Sequence, residues 1–181
     1  MEDIIIQGIG IIGMIMNILS FQMKTQRGIL YFQLVGGALF SVHFILLGAV
    51  VGGILNVAAV FRAIVYANRE KLHAQHSLWV ALFVAVFIGA YVANFTLLGA
   101  APTPKNFILE LLPVIGMTAS TVGMKMGTAK STRMLSLINS PCWLTYNCFN
   151  VSIGGIICEV FCLASIAIGI YRYDTKGKKN D

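Results

Sequence analysis

Glu159 stands inside the last apolar segment of the chain, in the string Ile153-Gly154-Gly155-Ile156-Ile157-Cys158-Glu159. An acidic group at the centre of a membrane helix costs about 2.5–3.5 kcal/mol on insertion scales, so such residues face a cavity or a partner. Its chemistry suits a substrate ligand or a proton carrier; the structural alternative is a carboxyl hydrogen-bonded to a neighbouring helix. Counted from the helix ends nearest to them, His43, Asn56, Trp143 and Asn147 fall at a similar depth, on four different apolar segments when Glu159 is included. Trp143 and Asn147 are four apart and share a helix face. An aromatic wall with a few convergent polar groups is what a small-molecule site needs. Each member also has a structural reading: a core histidine bonded to a carbonyl, asparagines bonding between helices, an interfacial tryptophan. Their convergence is what points to a substrate site.

Arg62 lies about two turns from the end of its segment. Its long stem permits snorkelling to the interface; the alternatives are an inner gate or a counter-charge to substrate. Glu110 sits near the start of its segment, where a helix N-terminus favours an anion. Pro113 and Pro141 interrupt two segments and read as hinges or fixed kinks, tolerated where neighbours satisfy the freed carbonyls. Cys142, Cys148, Cys158 and Cys162 lie in apolar runs without histidine partners at metal-ligand spacing, and read as small buried hydrophobes. His73 and His76 are three apart, with no cysteine or carboxylate cluster beside them. No His-Glu-x-x-His, Gly-x-Ser-x-Gly or phosphate-cradling motif occurs, so neither an enzyme, a metal nor a cofactor is indicated.

The elements that must position these residues are membrane helices. Of 181 residues, 57% are hydrophobic and 11% charged, against about 25% charged in a soluble domain. At about 20 residues per crossing, seven segments fit, at roughly 4–22, 29–49, 51–68, 77–98, 107–124, 131–150 and 152–172. The breaks at 49–52 and 150–153 leave room only for tight hairpins. With the N-terminus outside, the inner segments collect Lys24, Arg27, Arg69, Lys71, Lys125, Lys130, Arg133, Arg172, Lys176, Lys178 and Lys179, leaving Lys105 and Arg62 of the 13 basic residues. The cytoplasmic bias of Lys and Arg then favours N-out, C-in. The net charge of +6 belongs to those inner loops and implies no nucleic acid.

The first three and last three segments share one plan: helix, basic loop, helix, almost no loop, helix. A shift of 102 residues lays Gly52-Gly53-Ile54 on Gly154-Gly155-Ile156. The fourth segment inverts the chain, so both triplets enter the membrane in the same sense. The expected divisions are a first repeat at 1–69, a loop and linker helix at 70–104, and a second repeat with its basic tail at 105–181. Parallel repeats about the membrane normal are a transporter plan with the site near the midplane.

Glu110-Leu111-Leu112-Pro113-Val114-Ile115-Gly116, Val42-His43-Phe44 with Leu46-Leu47-Gly48, Cys142-Trp143 with Asn147, and Ser152-Ile153-Gly154-Gly155 with Glu159 resemble the YgjV family of bacterial inner-membrane proteins. The likeness covers nearly the whole chain and implies an inner-membrane location. More distantly the chain is similar to the SWEET, PQ-loop and PnuC-type carriers, which implies three plus one plus three helices, N-out and C-in. Phe21-Gln22 stands where those carriers have Pro-Gln. Trp143-Leu144-Thr145-Tyr146-Asn147 resembles their Trp-x-x-Tyr-Gly, and Asn56 matches a pocket asparagine, whereas the second repeat has Cys158-Glu159.

The expectation is an all-α, seven-span protein that carries a small polar metabolite between two triplets, the site formed by His43, Asn56, Trp143, Asn147 and Glu159, with Arg62, Pro113 and Pro141 as gate or hinges. The alternative is a non-transporting receptor or complex subunit. The bilayer and a small solute are the expected partners, a second copy of the chain stays open as another, and no cofactor or nucleic acid is expected.

Overall fold

The computed structural model describes residues 2–46, 50–149 and 153–175. The hairpin connections at 47–49 and 150–152, and the tail with Lys176, Lys178 and Lys179, lie outside the described residues. Seven α-helices follow one another: α1 Glu2–Ser20, α2 Gln26–Leu46, α3 Val50–Ala67, α4 Ser77–Thr96, α5 Pro104–Lys125, α6 Ala129–Phe149 and α7 Ile153–Gly169. α7 continues into a π-helical turn, Ile170–Thr175.

Four apolar stretches of 20 to 22 residues are long enough to cross a bilayer, Gln26–Leu46, Ser77–Thr96, Pro104–Lys125 and Gly154–Thr175, and Ile4–Ser20 and Gly53–Ala67 are shorter apolar helices. α6 stands apart. Its first half carries Lys130, Ser131, Thr132, Arg133, Ser136, Asn139 and Ser140. Polar helices of this kind are stable in lipid only when other helices cover them.

Local chemistry sets the helix starts. Thr103 caps α5 by accepting from the Asn106 amide at 3.2 Å, with Pro104 in the first turn, where its missing N–H costs nothing. The other two caps match each other: Thr25 accepts from the Gly28 amide at 3.1 Å at the start of α2, and Thr128 from the Ser131 amide at 3.0 Å at the start of α6. α5 and α6 each continue as one helix past Pro113 and Pro141.

α2 packs between α1 and α3, and α6 between α5 and α7. The two rows meet face to face, α1 on α7, α2 on α6 and α3 on α5, while α4 lies against α5 and α3. One apolar cluster joins Leu30, Tyr66, Phe83, Phe87, Met117 and Met124 from α2 to α5; a second joins Phe21, Cys158, Cys162 and Ile166 with Met14, Ile18 and Phe40. Large apolar side chains such as Leu78, Leu82, Val86 and Val92 of α4 remain exposed, the surface a bilayer solvates. The connections at 21–25, 68–76 and 126–128 gather at one end of the bundle, here the basic end.

Candidate functional site

α6 is the most polar helix and lies against three others, α5, α7 and α2. Its buried side chains are Ser131, Thr132, Arg133, Ser136 and Ser140. Thr132, Ser136 and Ser140 follow at intervals of four, and Asn147, seven residues beyond Ser140, continues the same face. Ser140, 2% exposed, hydrogen-bonds the Glu159 carboxyl of α7. A turn nearer the start of α7, a Cβ on Gly155 would lie 2.5 Å from Cγ of Asn147; only glycine lets that amide sit against the α7 backbone. Ser140, Asn147 and Glu159 thus form a polar seam between α6 and α7. Trp143 turns to the other side and packs on the cluster containing Tyr66, Phe87 and Met117.

The remaining predicted residues separate. His43, 9% exposed, lies between α2 and α1: its Nδ1 is 2.8 Å from the Ile6 carbonyl, and a Cβ on Gly10 would meet its ring at 2.8 Å. A carbonyl only accepts, so Nδ1 carries the proton. Asn56 is half-buried on α3. Glu110 is not merely a helix-terminal anion, since it hydrogen-bonds Tyr146 of α6 and Asn94 of α4.

Arg62 does not snorkel. Its residue is 8% exposed, and Nη1 donates to the Met117 carbonyl at 3.0 Å and to Thr121 Oγ1 at 3.1 Å on α5. The guanidinium lies over the Phe87 ring of α4, 5.9 Å from its centroid. Nε is buried with no partner, and so is the hydroxyl of Tyr66, one turn further along α3. Among the described residues the ion pairs are Arg27–Glu70 at 3.6 Å and Arg133–Asp174 at 3.0 Å; neither involves Arg62.

Arg133 shows what a fully satisfied buried guanidinium looks like in this fold. Its Nε and Nη2 donate to the two Asp174 oxygens, each at 3.0 Å, and Nη1 donates to the Met23 carbonyl at 2.8 Å and the Phe21 carbonyl at 3.4 Å. The Tyr173 ring centroid is 5.4 Å away. Gly169 permits this: a Cβ there would collide with the Phe21 carbonyl. The same end holds further bonds between the two rows. Gln22 donates to the Ser165 carbonyl at 2.7 Å and hydroxyl at 2.9 Å, Ser165 donates to the Ile18 carbonyl at 2.6 Å, and Gln26 donates to the Met124 carbonyl at 2.7 Å and Thr132 Oγ1 at 3.2 Å. These bonds tie the two rows together at the basic end.

Sequence reasoning did not single out Ser140, Tyr66, Gln26 or Asp174. The four-residue spacing of hydroxyls along α6 was the available signal for Ser140, and an acid at the end of the last apolar segment, ahead of the tail lysines, was the signal for Asp174. His73 and His76 line an open hollow in the 68–76 connection with Leu72, Ser77, Leu78 and Trp79. Among the described residues no group of three potential metal ligands forms. An apolar groove of about 200 Å³ opens between α3 and α4, lined by Leu55, Ala58, Val86 and Ala90 among others.

The comparisons with known proteins agree with this membrane architecture. The chain is 28% identical over 168 residues to Inner membrane protein YgjV of Escherichia coli (strain K12), covering 92% of this chain and 83% of that protein. No solved structure matches. The family model described as bacterial inner membrane protein, Imp-YgjV, matches residues 4–177. With seven helices and that match, the chain belongs to the YgjV family and is a multi-pass protein of the bacterial inner membrane.

Proposed function

We propose that the protein is a carrier or facilitator for a small polar metabolite, binding it between the two helix triplets rather than transforming it chemically. The observation that carries this reading is α6: the helix least suited to lipid is packed against three others, with a line of hydroxyls, an amide and an indole along it. Polar side chains inside a membrane bundle mark substrate and ion pathways. The candidate substrate ligands are Trp143, Asn147 and Glu159, with Asn56 on the facing triplet, while His43, also read as a ligand from the sequence, holds the α1–α2 contact. Arg62 is the candidate gate or counter-charge, and Pro113 and Pro141 stiffen or hinge α5 and α6.

Three features support parallel triplets at 1–69 and 105–181 joined by the 70–104 linker. Exchanging the triplets converts the α1–α7 contact into α5–α3 and leaves α2–α6 unchanged, as a two-fold axis along the membrane normal requires. Thr25 and Thr128 cap α2 and α6 alike. The basic residues cluster at one end, which supports an N-out, C-in chain by the positive-inside bias. On this reading the Gln22, Gln26 and Arg133 bonds form a closed cytoplasmic gate. Rocking one triplet against the other breaks them and opens the inner side.

The test is a thermal-stabilisation screen of the purified protein against small polar metabolites, followed by uptake of each stabilising compound into proteoliposomes. Uptake that exceeds empty vesicles and is lost in Glu159→Gln supports the reading. A stabilising compound that never crosses the bilayer would favour a receptor.

A further inference from the structure

We infer that Arg62 and Tyr66 form the recognition point for a single carboxylate, so that the carried metabolite is a small water-soluble organic acid. This rests on the carrier reading and names its substrate class. The first observation is a deficit. Arg133 and Arg62 are both buried, yet Arg133 has a carboxylate on its Nε–Nη2 edge and two carbonyls on Nη1, whereas Arg62 uses Nη1 alone and leaves Nε buried without an acceptor. The fold can therefore satisfy a buried guanidinium completely with its own groups. A cation with no paired acid in a bilayer interior is costly enough that it faces a partner or a pathway.

The second observation is Tyr66. Its hydroxyl is buried without a partner, on the same face of α3 as Arg62 and in the same cluster as Phe87 and Met117, the residues the guanidinium touches. Two unpaired donors, one charged and one neutral, lie a turn apart. A carboxylate meets both needs. Its two oxygens accept in parallel from the Nε–Nη2 edge, the geometry Arg133 already makes with Asp174, and one lone pair remains for the Tyr66 hydroxyl. Its single charge neutralises the single cation; a phosphate dianion would leave a net charge in the bundle. The body of the acid then lies among Phe87, Met117 and Trp143, since Trp143 packs on this cluster.

The experiment is thermal denaturation of the full-length protein in mild detergent, titrated with acetate and lactate, with inorganic phosphate, choline and oleate as comparison arms. Acetate or lactate should raise the midpoint saturably, and phosphate and choline should not. Arg62→Met replaces the unpaired cation by an apolar chain of similar length and should abolish the shift. Arg62→Lys keeps the charge without the fork and should weaken it. Tyr66→Phe leaves the ring in place and should weaken apparent affinity roughly tenfold or more, the effect of one hydrogen bond to a charged group. No shift with either short acid in the parent protein, an equal shift in Arg62→Met, an equal shift with phosphate, or a shift with oleate alone would overturn the inference. Binding in detergent needs no transport. Binding without vesicle uptake would sink the carrier reading alone, and uptake of a neutral or cationic solute without acid binding would sink this one alone.

Discussion

Replacing Asp174 by Asn keeps the shape of the Arg133 site and removes its counter-charge. The side chains of Arg133 and Asp174 are 1% and 6% exposed, so water cannot take over the role of the lost charge. The two bonds at 3.0 Å become at best one amide contact, and the guanidinium keeps only the Met23 and Phe21 carbonyls. Removing one partner of a buried pair costs roughly 3–5 kcal/mol, most of it the penalty of the stranded ion. Arg133→Met strands the carboxylate instead and also leaves two carbonyls unbonded, so it falls in the same range. The double variant Arg133→Met/Asp174→Leu removes both charges and should cost less than the sum of the singles. A coupling of about 0.5–3 kcal/mol is expected for residues in contact. The assay is unfolding by sodium dodecyl sulfate in mixed micelles, followed by helix content, for the parent, both single variants and the double. Additive singles, or an Asp174→Asn protein within about 0.5 kcal/mol of the parent, the range of ordinary surface substitutions, would refute the reading of this pair as a buried lock.

Gly123→Ala should destabilise by about 1–3 kcal/mol, because the new Cβ would lie 2.9 Å from the Ser131 carbonyl; Gly89→Ala, with nothing within 4 Å, should be neutral or slightly stabilising by propensity, and the same micelle titration reads both. Glu159→Gln should fold like the parent, as its amide can still bond Ser140, while losing uptake or its pH dependence; unchanged uptake from pH 5 to 8 would make Glu159 structural. Trp143→Ala and Asn56→Ala should weaken the affinity of any stabilising compound without altering the pH profile, checked by the same thermal titration. A reporter fused after Asp181 should give a cytoplasmic signal, and a periplasmic signal would reverse the proposed orientation.

The seven helices were legible because membrane helices obey a length rule: observed ends fall within a few residues of the seven segments drawn, although α6, drawn as one of the apolar segments, is the most polar helix of the fold. Which faces meet was not legible. Arg133 reads as a loop cation until the fold brings Asp174, 41 residues away, into its reach. Snorkelling was a reasonable expectation for Arg62 by depth, but depth along a helix says nothing about azimuth, and the face shared by Arg62 and Tyr66 turns to α4 and α5. The same limit divides the five predicted ligands. Asn147 lies against Gly155 of α7 and Glu159 against Ser140 of α6, while the His43 ring turns to Gly10 of α1.

The proposed alternating access along α6 can be tested without knowing the substrate. Ser140→Cys, in a background where Cys142, Cys148, Cys158 and Cys162 are replaced by alanine, would be probed with a membrane-impermeant maleimide from each face of oriented vesicles. Position 140 is buried in the structure described, so the account predicts labelling from the outer face in that background only through the rocking that exposes it. It predicts labelling from the inner face as well when Gln26→Leu removes the bonds to Met124 and Thr132. A thiol at position 140 that stays unlabelled from both faces in both proteins would contradict a carrier built around α6.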